Sequence, residues 1–501
     1  MMELERRGVP TVGFTASGFV RDAHRSAENF GLPGVAIAVT ALPFAGQSPE
    51  SIRAMVDGAI DDVISGLTRP LDVSALVSEI VVVEDEVLEF EGSDLLRALD
   101  RMNRQFLAYG WSDGFPLVAP TAEAVEQMLG STRRRPEEVI AHLEPGLGAA
   151  TVQRIAVNAV MAGCRPEHLP VVVAATECIA EPRMMLRIMA MSTGPHAPLI
   201  VVNGPIAREL GINAGVCALG PGAPSYANTV IGRALRLVMM NVGHTYPAVS
   251  DMDTVGSPTK YSMCVAENEA ESPWAPYHVE KGFPRDASTV TVHFSQGICE
   301  LHDFQNHQPE RLVEVFCTVA TNVAYTPAGG WLLGHKADPR VNVEARDHMF
   351  MLICPEHAHN FARAGWTKDR LREAMHRGAQ MPFRLLMAQK EPKAFLAAHP
   401  ELEWLLDKPE TLLPVVETPD CFEMAVVGGQ AGRSDHLPLV GQLPILRVAA
   451  LQERHALPRE PPGVCRRVLP VAPARAHPGP RHDRSRYAGR DPAARPVTRV
   501  L

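Results

Sequence analysis

Pro10-Thr11-Val12-Gly13-Phe14-Thr15 and Val35-Ala36-Ile37-Ala38-Val39-Thr40 are short, β-rich apolar runs, and a helical stretch, Ser17 to Phe30, lies between them. Gly31-Leu32-Pro33-Gly34 breaks that helix before the second run. After the turn Leu42-Pro43-Phe44-Ala45-Gly46, Ser48-Pro49-Glu50 reads as a helix start, with Ser48 as cap, Pro49 at the first position and Glu50 in the first turn. Ile52, Met55, Val56, Ala59, Ile60, Val63 and Ile64 then recur at helical spacing. Strand alternating with helix implies parallel strands in a doubly wound sheet. Glu3-Leu4-Glu5-Arg6-Arg7-Gly8-Val9-Pro10 reads as the last turn of a helix running into a strand, so the layer opens in mid-architecture and is expected to be incomplete.

Outward from this layer, residues 70–92 read as a connector with a strand at Glu79 to Val83. A larger α/β domain is expected over 94–447. Its helices fall at about 94–108, 121–130, 149–163, 167–180, 226–240 and 309–322, with a helical pair at 356–378. Its strands fall at 197–202, 289–294, 330–334 and 349–353. Ala149 to Ala162 is apolar on nearly all sides and reads as a buried helix. Beyond 447 the chain turns to arginine and proline with no surviving period, so 448–501 is expected to be a disordered basic tail or the product of a frameshift.

Composition narrows the class. Over 501 residues, 46% are hydrophobic and 21% charged, and the net charge is −9. That balance supports sizeable cores and argues against nucleic-acid or membrane partners. No apolar run reaches the roughly 18–20 residues that span a bilayer, and the first residues lack a signal-peptide layout, so a cytoplasmic location is expected. The nine cysteines are scattered without metal spacing and read as free thiols.

The densest polar cluster is Lys260-Tyr261-Ser262-Met263-Cys264-Val265-Ala266-Glu267-Asn268-Glu269-Ala270-Glu271, followed by Trp274 and His278. Its Lys, Cys, Glu and His make an inventory for acid–base or thiol chemistry. A solvated surface loop is the plain alternative, against which Trp274 and two prolines suggest order. Gly220-Pro221-Gly222 leads into a helix carrying Asn228, Arg233 and Arg236, a pattern that suits an anion at a helix N-terminus; a tight turn with two surface arginines explains it equally well. Asn203-Gly204-Pro205 ends the strand 197–202, where ligands of parallel sheets bind, and is also an ordinary strand-to-helix turn. Asn213 and Asn241 add neutral polar groups in the same block. His357 and His359 stand two apart and would lie on different faces of a helix, while His293 and His302 could converge with other groups; no metal and no cofactor are expected.

Glu5-Arg6-Arg7-Gly8-Val9-Pro10-Thr11-Val12, Gly31-Leu32-Pro33 and Leu42-Pro43-Phe44-Ala45-Gly46 resemble the later part of a UGSC-like domain. That family is named for a Sec/Cys-Gly-Ser-Cys motif preceding such a helix, and is distantly similar to the redox-active domain of selenoprotein component B of glycine, sarcosine and betaine reductases. Asn158-Ala159-Val160-Met161-Ala162-Gly163-Cys164, Val202-Asn203-Gly204-Pro205 and Ala266-Glu267-Asn268-Glu269 resemble the larger domain often fused to it. The resemblance covers roughly residues 1–430. No cysteine precedes Cys164, so no redox residue of the family carries over.

The resemblance implies an oxidoreductase or lyase that cleaves a carbon–heteroatom bond in a small carboxylate-bearing molecule by thiol or selenol chemistry, with a thiol reductant as partner. The residues then nominate Cys264 as thiol, Glu267 or Glu269 as acid/base, His278 as a further catalytic group, Lys260 and Arg233 as anion partners with Arg236 completing the clamp, and Asn203, Gly204, Gly220, Gly222 and Asn228 as substrate contacts. Cys264 would need a depressed pKa, from Lys260 or His278. The alternatives are a redox-free hydrolase or lyase using Glu267 and His278, and a non-catalytic binding protein. A homo-oligomer is compatible with all three.

Overall fold

The computed structural model of the chain describes residues 4–5, 8–17, 20, 23–24, 27, 34–41, 48–69, 87–323, 348–386, 400–430, 432–440, 445–447 and 498–500. The chain divides into two compact units: Met1–Glu84 with Tyr246–Met252 and Pro382–Thr411, and Asp85–Thr245 with Asp253–Met381 and Leu412–Leu501.

In the first unit, β1 (Val12–Ala16) and β2 (Ala36–Thr40) pair in parallel, Val12 opposite Ala36. α1 (Pro49–Thr68) follows, and its start is the one read from the sequence: the Ser48 side chain accepts the Ser51 N–H, and Pro49 opens the first turn. Leu4 and Glu5 are helical. Gly8, at φ 76°, donates to Glu5 O and Val9 donates to Leu4 O, both at 2.9 Å, the paired bonds by which a left-handed glycine ends a helix. The expected parallel pairing is present in these two strands. The Leu42–Gly46 turn, most of the helix Ser17–Phe30 and the strand Glu79–Val83 lie outside the described residues.

The second unit opens with α2 (Leu95–Ala108) and α3 (Ala122–Leu129). A hairpin of β3 (Val139–Leu143) and β4 (Gly148–Thr151) follows, and β4 takes up the first residues of the helix expected over 149–163. Thr151 then caps α4 (Val152–Ala162), and α5 (Leu169–Ala180) packs beside it. Both are buried nearly all round, as expected for the interior of a large domain.

The strands that carry the site belong to one eight-stranded sheet. They are β5 (Ala197–Asn203), β6 (Cys264–Ala266), β7 (Thr289–Ser295), β8 (Cys299–His302), β9 (Met349–Ile353), β10 (Phe422–Val426), β11 (Arg433–Val440) and β12 (Ile445–Arg447). The sheet is mixed. Its main path runs β6-β5-β7-β11-β9-β10: the outermost pairs, β6 with β5 and β10 with β9, are parallel, and every inner pair is antiparallel. The path therefore has the same sense of pairing from either edge. In each half the chain visits the strands in the same order, β5, β6, β7 and then β9, β10, β11. α6 (Tyr226–Asn241) joins β5 to β6, while α8 (Pro355–Arg363) and α9 (Lys368–Gly378) join β9 to β10. α7 (Pro309–Val323) precedes the second half.

Alternation along β5 sends its side chains to two cores. Ile200 and Val202 join Cys264, Ala266, Val290 and Val292 against the helices, whereas Leu199 and Val201 join Val265, Phe350, Leu352, Ala425 and Leu437. The second core is thus built from the two halves of the sheet facing each other. Beyond the end of β6, Asn268 N–H donates to Val426 O at 2.7 Å, so the two outer strands meet. The expected strand 330–334 lies outside the described residues, as does nearly all of 448–501. Within that tail, Thr498–Val500 forms a strand antiparallel to Phe90–Gly92, contrary to the expectation of no packed structure there.

Candidate functional site

β5 and β6 run in parallel with Val202 opposite Ala266, and Glu267 N–H extends the pairing to Val202 O at 3.2 Å. The next residue of each strand, Asn203 and Glu267, therefore leaves the sheet at the same end. Asn203 Nδ2 donates to Glu267 Oε2 at 2.5 Å and to Glu269 Oε1 at 3.3 Å, and Gly204 N–H donates to the same Glu269 oxygen at 2.7 Å. Only glycine fits at 204: its φ is 83°, and a Cβ there would stand 2.1 Å from Ala287 O. Glu267 Oε2 also accepts the Tyr277 N–H at 2.7 Å, which brings the short helix Tyr277–Glu280 to the strand ends.

His278 follows Tyr277 and is buried. Its Nε2 faces Arg285 O at 3.3 Å, an acceptor, so Nε2 donates there, and the neutral ring keeps its lone pair on Nδ1. That Nδ1 lies 3.7 Å from Glu269 Oε1 and has no hydrogen-bond partner. Two acceptors therefore face each other across a gap that only a donor can bridge. Asn203 Oδ1 is a second buried acceptor without a partner. Glu269, with its side chain 24% exposed, opens the cluster to solvent. Burial pushes the Glu267 carboxyl above the usual carboxylate range, against the opposing pull of Lys368, the Tyr277 N–H and the Asn203 amide.

Behind this cluster stands a network that the sequence reading missed. Tyr277, His293 and Glu423 are buried with the second core; the Tyr277 and His293 rings pack on Phe350 at 5.3 and 4.8 Å. Lys281 Nζ bonds Glu423 at 2.7 Å and lies 5.2 Å over the Tyr277 ring. Lys368 and Arg372 both pair with Glu280. His293 Nε2 has no hydrogen-bond partner, and the Tyr277 hydroxyl lies beside the Glu423 carboxyl. Burial raises the Tyr277 hydroxyl and the Glu423 carboxyl and depresses His293 well below the usual histidine range. Of these the sequence singles out only His293, as a strand residue that could converge with other groups. Glu423 and Lys281 lie 142 positions apart, and no local pattern links them.

Five of the nominated residues thus come together: Asn203, Gly204, Glu267, Glu269 and His278. The others do not join them. Cys264 faces the helical core, where burial raises its thiol far above the usual range, so the depressed pKa that a nucleophile needs is absent. Lys260 is paired with Asp253 at 2.8 Å. Arg233 clamps Asp113 through Nε at 2.7 Å and a second nitrogen at 2.9 Å, with Phe115 O and Pro116 O taking further bonds, so its bidentate fork holds the fold and not an anion. Arg236 is buried and already engaged. Asn228 is saturated by backbone: Oδ1 accepts Asn213 N–H, and Nδ2 donates to Asn213 O, Ala218 O and Cys264 O. Gly220 and Gly222, at φ 98° and 111°, shape the turn before α6. Among the described residues no cluster of three or more His, Cys, Asp or Glu could hold a metal, and no helix is long and apolar enough to cross a membrane.

Fold and cluster define the class: a mixed α/β protein with a carboxylate–imidazole group at the carboxyl ends of parallel strands. Residues 2–69 match the model of the UGSC family, which sets a UGSC-like domain at the N-terminus. No curated protein and no solved structure matches the chain.

Proposed function

We propose that the chain is an enzyme that takes a carbon-bound proton from a small molecule through Glu269 or His278, in a lyase-type cleavage of the neighbouring carbon–heteroatom bond. The observation that carries this reading is the 3.7 Å gap between Glu269 Oε1 and the unpartnered His278 Nδ1, beside the unpartnered Asn203 Oδ1. Three acceptors in one place favour a substrate that brings a hydroxyl or an amino group. Asn203 orients that hydroxyl or amino group, Glu269 or His278 takes the proton from the carbon beside it, and the heteroatom departs with its bonding electron pair as the carbon–carbon double bond forms. Glu267 acts as a positioning residue: it holds Asn203 on one side and the Tyr277 N–H on the other.

The thiol or selenol route draws support from the UGSC-like domain, whereas the burial of Cys264 among the helices lends no support to Cys264 as its nucleophile. A carboxylate-bearing substrate also loses its expected partners, because Arg233 and Lys260 are each bound to an aspartate. The test is a panel of small hydroxy acids, amino acids and amino alcohols, scored by thermal shift and by NMR for exchange of carbon-bound hydrogen in D2O. Wild-type protein should stabilise with a subset and catalyse exchange, and Glu269→Gln and His278→Gln should lose the exchange. Equal exchange in those variants, or none in the wild type across the panel, would exclude the assignment.

A further inference from the structure

A second cluster lies on the opposite side of β11 from the second core. Cys354 follows β9 and stands at the N-cap of α8, where the N-terminal dipole favours an anion. Its N–H donates to Ser434 Oγ at 3.0 Å, and the same oxygen meets His357 Nδ1 at 2.8 Å. His357 Nε2 stands 2.9 Å from Asp303 O, so that nitrogen carries a proton and the ring is fixed with Nδ1 toward the serine and the thiol. Burial alone would raise the thiol, but the bonds and charge of His357 and the Ser434 hydroxyl outweigh it, and Cys354 lies below the usual thiol range. His357 is raised in turn: burial opposes its charge, and Cys354 and Asp303 favour it more.

A separate observation points to a guest. His436 shares the Ser434 face of β11, two residues on, and packs on Phe316 at 5.3 Å, whose ring also packs on His357 at 5.6 Å. His436 is fully buried, and neither ring nitrogen has a hydrogen-bond partner. Burial, aided by the charge of His357, holds its pKa down at about 3, so it is a neutral imidazole with a donor and an acceptor both unused.

We propose that Cys354, His357 and Ser434, with His436 beside them, form a nucleophilic thiol site whose reaction partner is a low-molecular-weight, uncharged disulfide. Cys354 is 2% exposed, which excludes a protein disulfide and leaves only a small partner for its sulfur. The Cys354 sulfur attacks one sulfur of the partner; the new S–S bond forms as the old one breaks, and the other half departs as a thiolate. Cys354 is oxidised and the departing sulfur reduced. Once Cys354 is a neutral mixed disulfide, the charge that kept the proton on His357 is gone, and that proton passes to the leaving thiolate. The site is independent of the Glu269–His278 cluster.

The test uses the full chain with 2-hydroxyethyl disulfide at about pH 6, where ordinary thiols are protonated. Each cysteine is mapped by mass spectrometry against the exposed Cys217 as internal reference. Cys354 should form the mixed disulfide first, on the order of tenfold ahead of Cys217, and His357→Gln should slow Cys354 alone. Modification of Cys217 with Cys354 intact would overturn the proposal. A second readout avoids dependence on that variant: thiolate absorbance near 240 nm at neutral pH should fall in Cys354→Ser, and an unchanged spectrum would equally overturn it.

Discussion

At the residue scale, burial decides which nominated groups keep a chemical role. Cys264 looked like a nucleophile because lysine, glutamate and histidine stand near it in sequence. On a strand, though, neighbours alternate faces, and Cys264 points away into the helical core while Glu267 meets Asn203. Cys264→Ser should therefore leave D2O exchange unchanged and lower stability by about 1–3 kcal/mol, the cost of an unpaired hydroxyl in an apolar site; loss of exchange with stability intact would restore the thiol role. Glu267 makes a pH-dependent prediction. Its pKa is raised on folding, so its favourable contribution is present below the unfolded carboxyl value, near 4.3, and is lost as pH rises through the folded value. From about pH 4 to pH 8, wild type should lose stability relative to Glu267→Gln, read as a widening gap in urea midpoints. A gap that stays constant with pH would mean that Glu267 is not strained by its burial.

At the scale of elements, α1 offers a test within a single helix. An alanine in place of an interior helical glycine ordinarily stabilises by about 0.5–1 kcal/mol. Gly58 has nothing within 4 Å of an added Cβ, so Gly58→Ala should follow that rule. At Gly66 the added carbon would stand 2.5 Å from Ala36 Cβ and 2.6 Å from Val12 Cγ2. Gly66→Ala should reverse the sign and loosen α1 from β1 and β2, measured by denaturation and by amide exchange over 49–68; two variants of equal stability would show that helix and strands do not pack this closely. Elements with strong periodicity and caps were legible: α1 with Ser48-Pro49-Glu50, and α2, α5, α6 and α7 to within about two residues, the usual uncertainty of a helix end. The short strands β6, β8 and β10 were not, because three to five residues hold too few alternations to betray a period.

For the whole molecule, the sequence could say α/β but not how the strands pair, since register and direction come from contacts distant along the chain. The same holds for the site. Asn203, Glu267, Glu269 and His278 were legible as polar groups at strand and loop positions, whereas Lys281 with Glu423 needed the closed sheet. Several buried histidines make a prediction for the molecule as a unit. His168 accepts the Arg165 N–H on Nδ1 and is depressed by burial to about 4, and His436 is at about 3. Depressed values mean that their stabilising share is present above the unfolded histidine value, about 6.5, and is lost as pH falls toward the folded ones. Each should remove up to about 1.4 kcal/mol per pH unit across that window. The urea midpoint should therefore fall steeply between about pH 6.5 and 4, less so in His168→Asn; a flat profile would place these rings in contact with water.

The mirrored strand order bears on descent. Aligning the halves by register and facing puts Val201 with Leu352 and Val265 with Ala425, and it pairs the bond Glu267 N–H to Val202 O with the bond Val427 N–H to Ile353 O. On this alignment Asn203 corresponds to Cys354, and Gly204 is one residue more before the helix proline, Pro205 against Pro355. A sheet of this kind is what a doubled and fused gene leaves behind. Its two strand-end positions would then be paralogous copies of a single ancestral corner, one now held by an amide beside carboxylates and the other by a thiol beside an imidazole. Profiles built separately from 197–295 and 349–440 of related chains should align with Asn203 on Cys354; profiles that align only in another register, or not at all, would assign the mirrored order to convergence of packing.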